Sequence, residues 1–210
     1  MASGAAGSPA PAGRRDAVRN YHRVLEAARE VLGESGADAS MEEIAARAGV
    51  GVGTVYRRFA NKEALIDELL RLSMEEGLDA ARQALDCRDG TGLEQFLRGL
   101  GEMFAAHARY AHLLLERSPD GAAAIEIRAA VTELTRRALA AGTLNSCVTT
   151  GDIMAVIWAM RGLTETTVGV APGTWQRFLD IHLAGLRAPG PLSAEPSMSA
   201  GQLAELLPPA

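Results

Sequence analysis

The chain has 210 residues, of which 48% are apolar and 22% are charged, enough for a small domain joined to a larger one with a real hydrophobic core. No apolar run approaches the roughly 18 residues of a membrane span, and residues 1–13 lack the features of a secretory signal, so we expect a disordered leader, a cytoplasmic location and no membrane partner. The formal net charge is −5, but residues 1–72 are balanced, so this first third can still bind phosphates locally.

Apolar residues recur at helical spacing through most of the chain, and no strand-length alternating run appears, so the predicted fold class is all-α. From residue 189 onward Pro, Ser and Gly dominate, which predicts a disordered tail over 189–210, with a brief helix over 200–207 as the alternative. Turns are expected at 87–92 and 118–121. The predicted helices span about 17–34, 40–48, 52–59, 61–85, 93–110, 123–141, 149–167 and 173–187.

The segment from 40 to 59 has the spacing of a helix-turn-helix. Ser40 and Glu43 form a capping box at the start of one helix, and Gly49 supplies the left-handed turn after it. If residues 52–59 form the next helix with Val55 inward, Phe59 lies beside Val55. Gly51 starts this helix, and Gly53, which has no side chain, lets the helix approach a surface closely.

The outward side of that second helix carries groups that suit DNA. Gly53 and Arg57 point away from Val55, with Thr54 and Tyr56 on the flanks. Backbone amides and the Thr54 hydroxyl can bind phosphate, and Arg57 or Arg58 can reach guanine edges in the major groove. The alternative is a surface helix whose charges are only solvated.

Residues 17–70 resemble the DNA-binding domain of the tetracycline-repressor (TetR) family of bacterial regulators. The resemblance rests on Ile-Ala-Ala-Arg-Ala-Gly-Val at 44–50, Gly-Thr-Val-Tyr-Arg-Arg-Phe at 53–59 and Asn-Lys-Glu-Ala-Leu at 61–65. It implies a DNA-binding domain over 14–70, in which Tyr56 and Lys62 contact phosphates. Gly51 departs from the family pattern, where serine or threonine is more common, which puts one phosphate contact in doubt. The candidate DNA-contacting residues are Arg47, Val52, Gly53, Thr54, Tyr56, Arg57, Arg58 and Lys62.

For residues 71–188 the same resemblance implies a helical domain that dimerises and binds a small effector. Segments 149–167 and 173–187 are the expected dimer interface, with Trp175 or Phe178 in it. Several residues that could line an effector pocket have simpler alternatives. A plain hydrophobic core would also explain Phe96, Leu100 and Phe104, and His107 would fit a histidine whose hydrogen bonds are satisfied within the protein. An ordinary helix salt bridge would explain Arg161 and Glu165. The candidate effector pocket comprises Phe96, Leu100, Met103, Phe104, His107, Tyr110, Ile127, Val131, Trp158, Arg161 and Glu165.

The remaining chemistry-bearing residues suggest no cofactor. His107 and His112 are five residues apart, a poor spacing for two ligands on one helix, so we expect no metal site. Cys87 and Cys147 are isolated and fit free thiols.

Together these patterns predict a homodimeric transcriptional repressor that a small-molecule effector releases from double-stranded operator DNA. We expect no enzyme activity, since no catalytic constellation is present. The alternatives are an orphan regulator without an effector and, less compatible with the residues, a helical-bundle enzyme or carrier.

Overall fold

The structure, a computed structural model, describes residues 12–115 and 121–206. These residues form α-helices and no strand, which confirms the predicted all-α class. The proposed leader lies outside the described residues except for 12 and 13, which belong to the first helix, and so does most of the predicted turn at 118–121. The helices are α1 Ala12–Ser35, α2 Met41–Ala48, α3 Val52–Arg58, α4 Lys62–Asp86, α5 Gly92–His107, α6 Ala111–Leu115, α7 Gly121–Ala140, α8 Thr150–Thr167, α9 Thr174–Arg187 and α10 Ala200–Glu205.

The chain divides into two compact units, Met1–Ile66 and Asp67–Ala210. The division falls inside α4, four residues before the boundary expected at residue 70. In the first unit α1 packs on α2, and α2 packs on α3. Ile44 and Val55 are fully buried in this unit, and α1 contributes Val24, Leu25, Ala28, Val31 and Leu32 to its core.

In the second unit α5 packs against α7, α8 and α9, and α8 packs against α7 and α9. Phe96, Leu97, Ile153, Met160 and Leu179 are at most 1% exposed in its core. Helix α9 directs Trp175, Leu179 and Leu183 inward, at i, i+4 and i+8. Trp175 is 4% exposed and therefore lies in the core of a single chain, which leaves Phe178 as the other residue suggested for the dimer interface.

The C-terminal segment differs from the predicted disordered tail. Residues 200–205 form α10, whose start is fixed by a capping box between Ser199 and Gln202. Leu203 is only 7% exposed, and the Met198 carbonyl lies so close to Gly151 that a Cβ there would be 2.8 Å from it. The structure therefore agrees with the alternative expectation of a brief helix over 200–207, with the helix ending at Glu205.

No helix in the described residues is both long and apolar enough to cross a membrane.

Candidate nucleic-acid interface and candidate ligand cavity

The turn between α2 and α3 is built by local hydrogen bonds. The Ser40 amide donates to Glu43 Oε2 at 2.9 Å, and the Glu43 amide donates to Ser40 Oγ at 3.2 Å. The hydrogen bond from the Ser40 backbone lowers the pKa of Glu43, because it stabilises the carboxylate. Gly49 ends α2 with a φ of 62°, and its N–H donates to the carbonyls of Ala45 and Ala46. This turn sets the direction in which α3 leaves.

Helix α3 has one buried side and one open side. Val55 is fully buried and Phe59 is 5% exposed, so these two residues attach the helix to its unit. On the other side Val52 is 40% exposed and Tyr56 45%, and Arg57 is also exposed. A Cβ on Gly53 would have no atom within 4 Å. The faces are therefore those expected from the sequence.

The two arginines of α3 differ in their surroundings. The Arg58 guanidinium lies over the Tyr21 ring, 4.9 Å from its centroid, and Tyr21 stacks on Phe59 at 6.3 Å. Arg57 makes no ion pair or side-chain hydrogen bond in the described part of the chain. Both arginines border a surface groove of about 480 Å³ together with Thr54 and α1.

Three other candidate DNA contacts are engaged by the protein itself. Arg47 donates to Glu30 at 2.9 Å and to Glu34 at 2.7 Å, and these carboxylates raise its pKa. The Tyr56 hydroxyl donates to Glu42 at 3.4 Å, and partial desolvation together with the Glu42 charge raises its pKa. Lys62 donates to the carbonyl of Ala37 and, at 3.0 Å, to that of Ala39.

These contacts change what the three residues offer to a partner. Arg47 pairs with two exposed carboxylates of α1, which balance its charge locally, and its contact with DNA stays a prediction. An ammonium group has three donors, and Lys62 uses two of them, so one remains for a phosphate. Tyr56 is held by one weak bond and stays largely exposed.

The second unit contains a cavity of about 230 Å³ between α4, α5, α6, α7 and α8. Four of these helices contribute residues at i, i+3, i+4 and i+7, which is one continuous face of an α-helix. The walls are therefore four helix faces turned toward one space. They are Leu70, Ser73, Met74 and Gly77 of α4; Leu100, Met103, Phe104 and His107 of α5; Ala124, Ile127, Arg128 and Val131 of α7; and Met154, Ile157, Trp158 and Arg161 of α8, with Ala111, Leu114, Thr164 and Glu165 completing the lining.

The structure brings nine of the eleven candidate pocket residues to this cavity and leaves two away from it. Phe96 is 1% exposed and packs in the core, one turn before the part of α5 that faces the cavity. Tyr110 lies after the end of α5, 2% exposed, with its ring 5.6 Å from that of His107. Neither residue belongs to the cavity wall.

Polar groups interrupt the apolar walls on several of the helices. His107, 8% exposed, has Nδ1 3.2 Å from Ser73 Oγ and Nε2 3.7 Å from a carboxylate oxygen of Glu76. On α8, Arg161 Nε donates to Glu165 Oε1 at 3.1 Å. The predicted i, i+4 salt bridge between Arg161 and Glu165 is therefore present, and both residues also line the cavity.

Arg128 is a cavity residue that the sequence analysis missed. It lies in the face formed by Ala124, Ile127 and Val131, so a charged residue inside an apolar i, i+3, i+4, i+7 set was the available signal. The residues contributed by α4 were missed for a different reason. They were not singled out, since nothing in a single sequence shows which other helix faces them.

Known proteins resemble this chain along much of its length. A family model described as bacterial regulatory proteins of the tetR family matches residues 24–69. The crystal structure of a TetR transcription regulatory protein from Mycobacterium vanbaalenii is 31% identical, covers 83% of this chain and 99% of its own, and superposes with a TM-score of 0.61. The chain belongs to the TetR family. A TetR transcriptional regulator from Streptomyces coelicolor, also 31% identical, covers 79% of this chain and 97% of its own, with a TM-score of 0.60.

Curated relatives of this TetR-family chain match it over a shorter stretch. An HTH-type transcriptional regulator from Staphylococcus aureus is 32% identical over 74 residues, which is 35% of this chain. The match spans 40% of the length of that relative. These relatives thus describe only part of the chain, and the cavity has to be interpreted from its own residues.

Proposed function

We propose that this TetR-family protein is a homodimeric transcriptional repressor that binds double-stranded operator DNA through α3 and loses affinity for it when a small effector occupies the cavity. The observation that carries the proposal is the presence in one chain of an open α3 face and of a cavity whose walls include α4. Family membership supports the regulatory role.

For DNA recognition we assign base reading to Arg57 and backbone contacts to the groups around it. Arg57 is exposed and has no partner in the described residues, whereas Arg58 is occupied by the Tyr21 ring. A free guanidinium can bind guanine O6 and N7 with two parallel hydrogen bonds. The bare backbone at Gly53 lets α3 approach the groove floor closely. DNA phosphates would then accept hydrogen bonds from Thr54, Tyr56 and the third N–H of Lys62.

The test starts from duplexes selected by the purified protein from a random library. Arg57→Ala should relax the preference at one position of each half-site, at a cost of roughly 1–3 kcal/mol per lost bidentate contact. Arg82→Ala is the matched control, because Arg82 is an exposed arginine of the second unit, on α4. If both variants lose affinity equally for all sequences, Arg57 does not read bases.

A dimer is proposed because one short recognition helix offers too little surface for specific affinity, whereas two copies can read half-sites one helical turn apart. Helix α9 has an outer side on which Ile181 is 57% exposed and Phe178 is partly buried. Ile181→Glu should therefore produce monomers in light scattering at micromolar concentration. Val18→Glu, an equally exposed valine on α1, is the control. A wild-type monomer would contradict the proposal.

The release step is proposed to act through α4. This helix begins at Lys62 in the first unit and supplies Leu70, Ser73, Met74 and Gly77 to the cavity. A ligand that shifts α4 changes the fit of two recognition helices to successive turns of DNA. By linkage, effector and operator must weaken each other's binding by the same factor, typically 5–150-fold. Unequal factors in the two titrations would exclude this mechanism.

A further inference from the structure

The charges around the cavity do not cancel. Arg128 and Arg161 contribute two guanidinium groups, and Glu165 contributes one carboxylate, which leaves one net positive charge on the wall. His107 is omitted from this sum, since its ring nitrogens already face Ser73 and the exposed carboxylate of Glu76. The rest of the lining is mainly apolar.

Arg128 is the group that carries the excess charge. Its guanidinium makes no ion pair or hydrogen bond in the described residues, whereas Arg161 is bonded to Glu165 through Nε. In the described part of the chain only Arg29 Nε is a fully buried side-chain nitrogen without a partner, so the donors of Arg128 are accessible. A guanidinium that borders apolar walls, with accessible donors and no partner in the described residues, is available to an anion.

From this arrangement we infer that the cavity binds a small amphipathic monocarboxylate, with its carboxylate on Arg128 and its apolar body against the four helix faces. This inference rests on the proposed function, of which it names the effector class. The planar guanidinium fork matches a carboxylate with two parallel hydrogen bonds. The single excess charge selects a monoanion, because Glu165 repels a second negative group close to Arg161.

The size of the cavity limits the apolar body. A volume of about 230 Å³ corresponds to roughly eight water-sized groups at about 30 Å³ each. A straight chain of roughly eight carbons therefore fills the space, and octanoate is the appropriate probe. Met74, Met103 and Met154 lie in three of the walls, and their flexible thioether chains can adapt to a chain of this kind.

The test compares octanoate with octanamide, its neutral counterpart of nearly the same shape, by isothermal titration calorimetry of the full chain without DNA. Octanoate should bind at least tenfold more tightly than octanamide. Arg128→Met, which keeps an unbranched side chain, should weaken octanoate by roughly ten- to 150-fold, the usual range for losing a hydrogen bond to a charged group. Octanamide binding should change less than threefold.

Arg136→Met is the matched control, because Arg136 lies on the same helix, is exposed and pairs with Glu133. It should leave both ligands unaffected. If Arg128→Met does not fold by circular dichroism, Arg128→Gln replaces it with the same expected loss. Equal affinity for octanamide and octanoate, equal effects of the two methionine variants, or no octanoate binding at millimolar concentration would overturn the inference.

A second measurement separates this inference from the proposed function. Octanoate is added to the complex of the protein with its selected duplex, and the affinity for DNA is measured by fluorescence anisotropy. If octanoate binds in an Arg128-dependent way, the ligand class stands. If the operator affinity nevertheless stays the same, the release mechanism fails while the ligand class is retained.

Discussion

The contact between α5 and α9 should make one glycine of α5 irreplaceable. A Cβ built on Gly101 would lie 2.2 Å from Cζ3, 2.3 Å from Cε3 and 2.9 Å from Cη2 of the Trp175 indole. Carbon atoms in optimal contact are about 3.5–4.0 Å apart. The indole is 4% exposed and enclosed by the core, so it has little room to move away. Gly101→Ala should therefore force α5 and α9 apart.

The magnitude follows from comparison with Gly99 on the same helix, where a Cβ would meet no atom within 4 Å. Replacing a mid-helix glycine by alanine stabilises a helix by roughly 0.8–1.0 kcal/mol, and this gain applies to both variants. The difference between Gly99→Ala and Gly101→Ala thus isolates the overpacking term. Overpacking a core usually costs about 1–3 kcal/mol, and an overlap this deep points to the upper end.

Urea denaturation of the two variants, followed by circular dichroism, measures this difference. We expect Gly99→Ala to unfold at a higher urea concentration than the wild type and Gly101→Ala at a lower one, with a difference in unfolding free energy of about 3 kcal/mol. In thermal unfolding this corresponds to roughly 2–4 °C for each kcal/mol in a chain of this size. If the two variants are equally stable, the packing of α5 on Trp175 is not as described.

Three further changes test the site and its supports. Hydrogen bonds from Arg187, and to a smaller extent from Arg98, lower the pKa of Glu94 below 4.5. The contribution of the Glu94 carboxylate to stability is therefore present above that pH and is lost as the pH falls through the lowered pKa. The urea midpoints of the wild type and Glu94→Gln should converge on acidification, and a constant gap between them would contradict this. Lys62→Met should lower the unfolding free energy by about 1 kcal/mol, since the Ala39 carbonyl loses a charged donor; an unchanged urea midpoint would show that this bond is unimportant. Gly77→Ala should raise the melting temperature, because alanine favours the helix and its Cβ would lie at an ordinary 3.5 Å from Ile127. The added methyl group should also weaken octanoate binding, because it takes up space in the cavity wall; unchanged octanoate affinity would place the ligand elsewhere.

The helices were predictable wherever apolar residues recur at the spacing of one helix face. Val55 and Phe59 are four residues apart in a segment with a capping box before it, and both are buried as the spacing required. Local hydrogen-bond chemistry also identified the starts of α2 and α4, through Ser40 and Asn61. These features depend on residues within one or two helical turns, which a single sequence contains in full.

Contacts between distant residues were not predictable in the same way. Arg47 meets Glu30 and Glu34, 17 and 13 residues earlier in the chain, and nothing at its own position distinguishes a clamped arginine from one that is free for DNA. Arg128 was overlooked because a charge next to apolar residues is usually a solvated edge of a helix. Only the assembled helices show that this edge borders a cavity.

The cavity itself is an argument for ligand binding, because an unfilled apolar space is expensive in stability. Cavities in protein cores cost roughly 24 cal/mol for each Å³, so a mainly apolar space of about 230 Å³ favours an occupant, although this one is partly open to solvent. Gly77 and the guanidinium-bearing Arg128 both line this space. A carboxylate ligand would fill the volume and neutralise the charge. At a concentration 100-fold above its Kd, such a ligand would add about 2.7 kcal/mol to the free energy of unfolding.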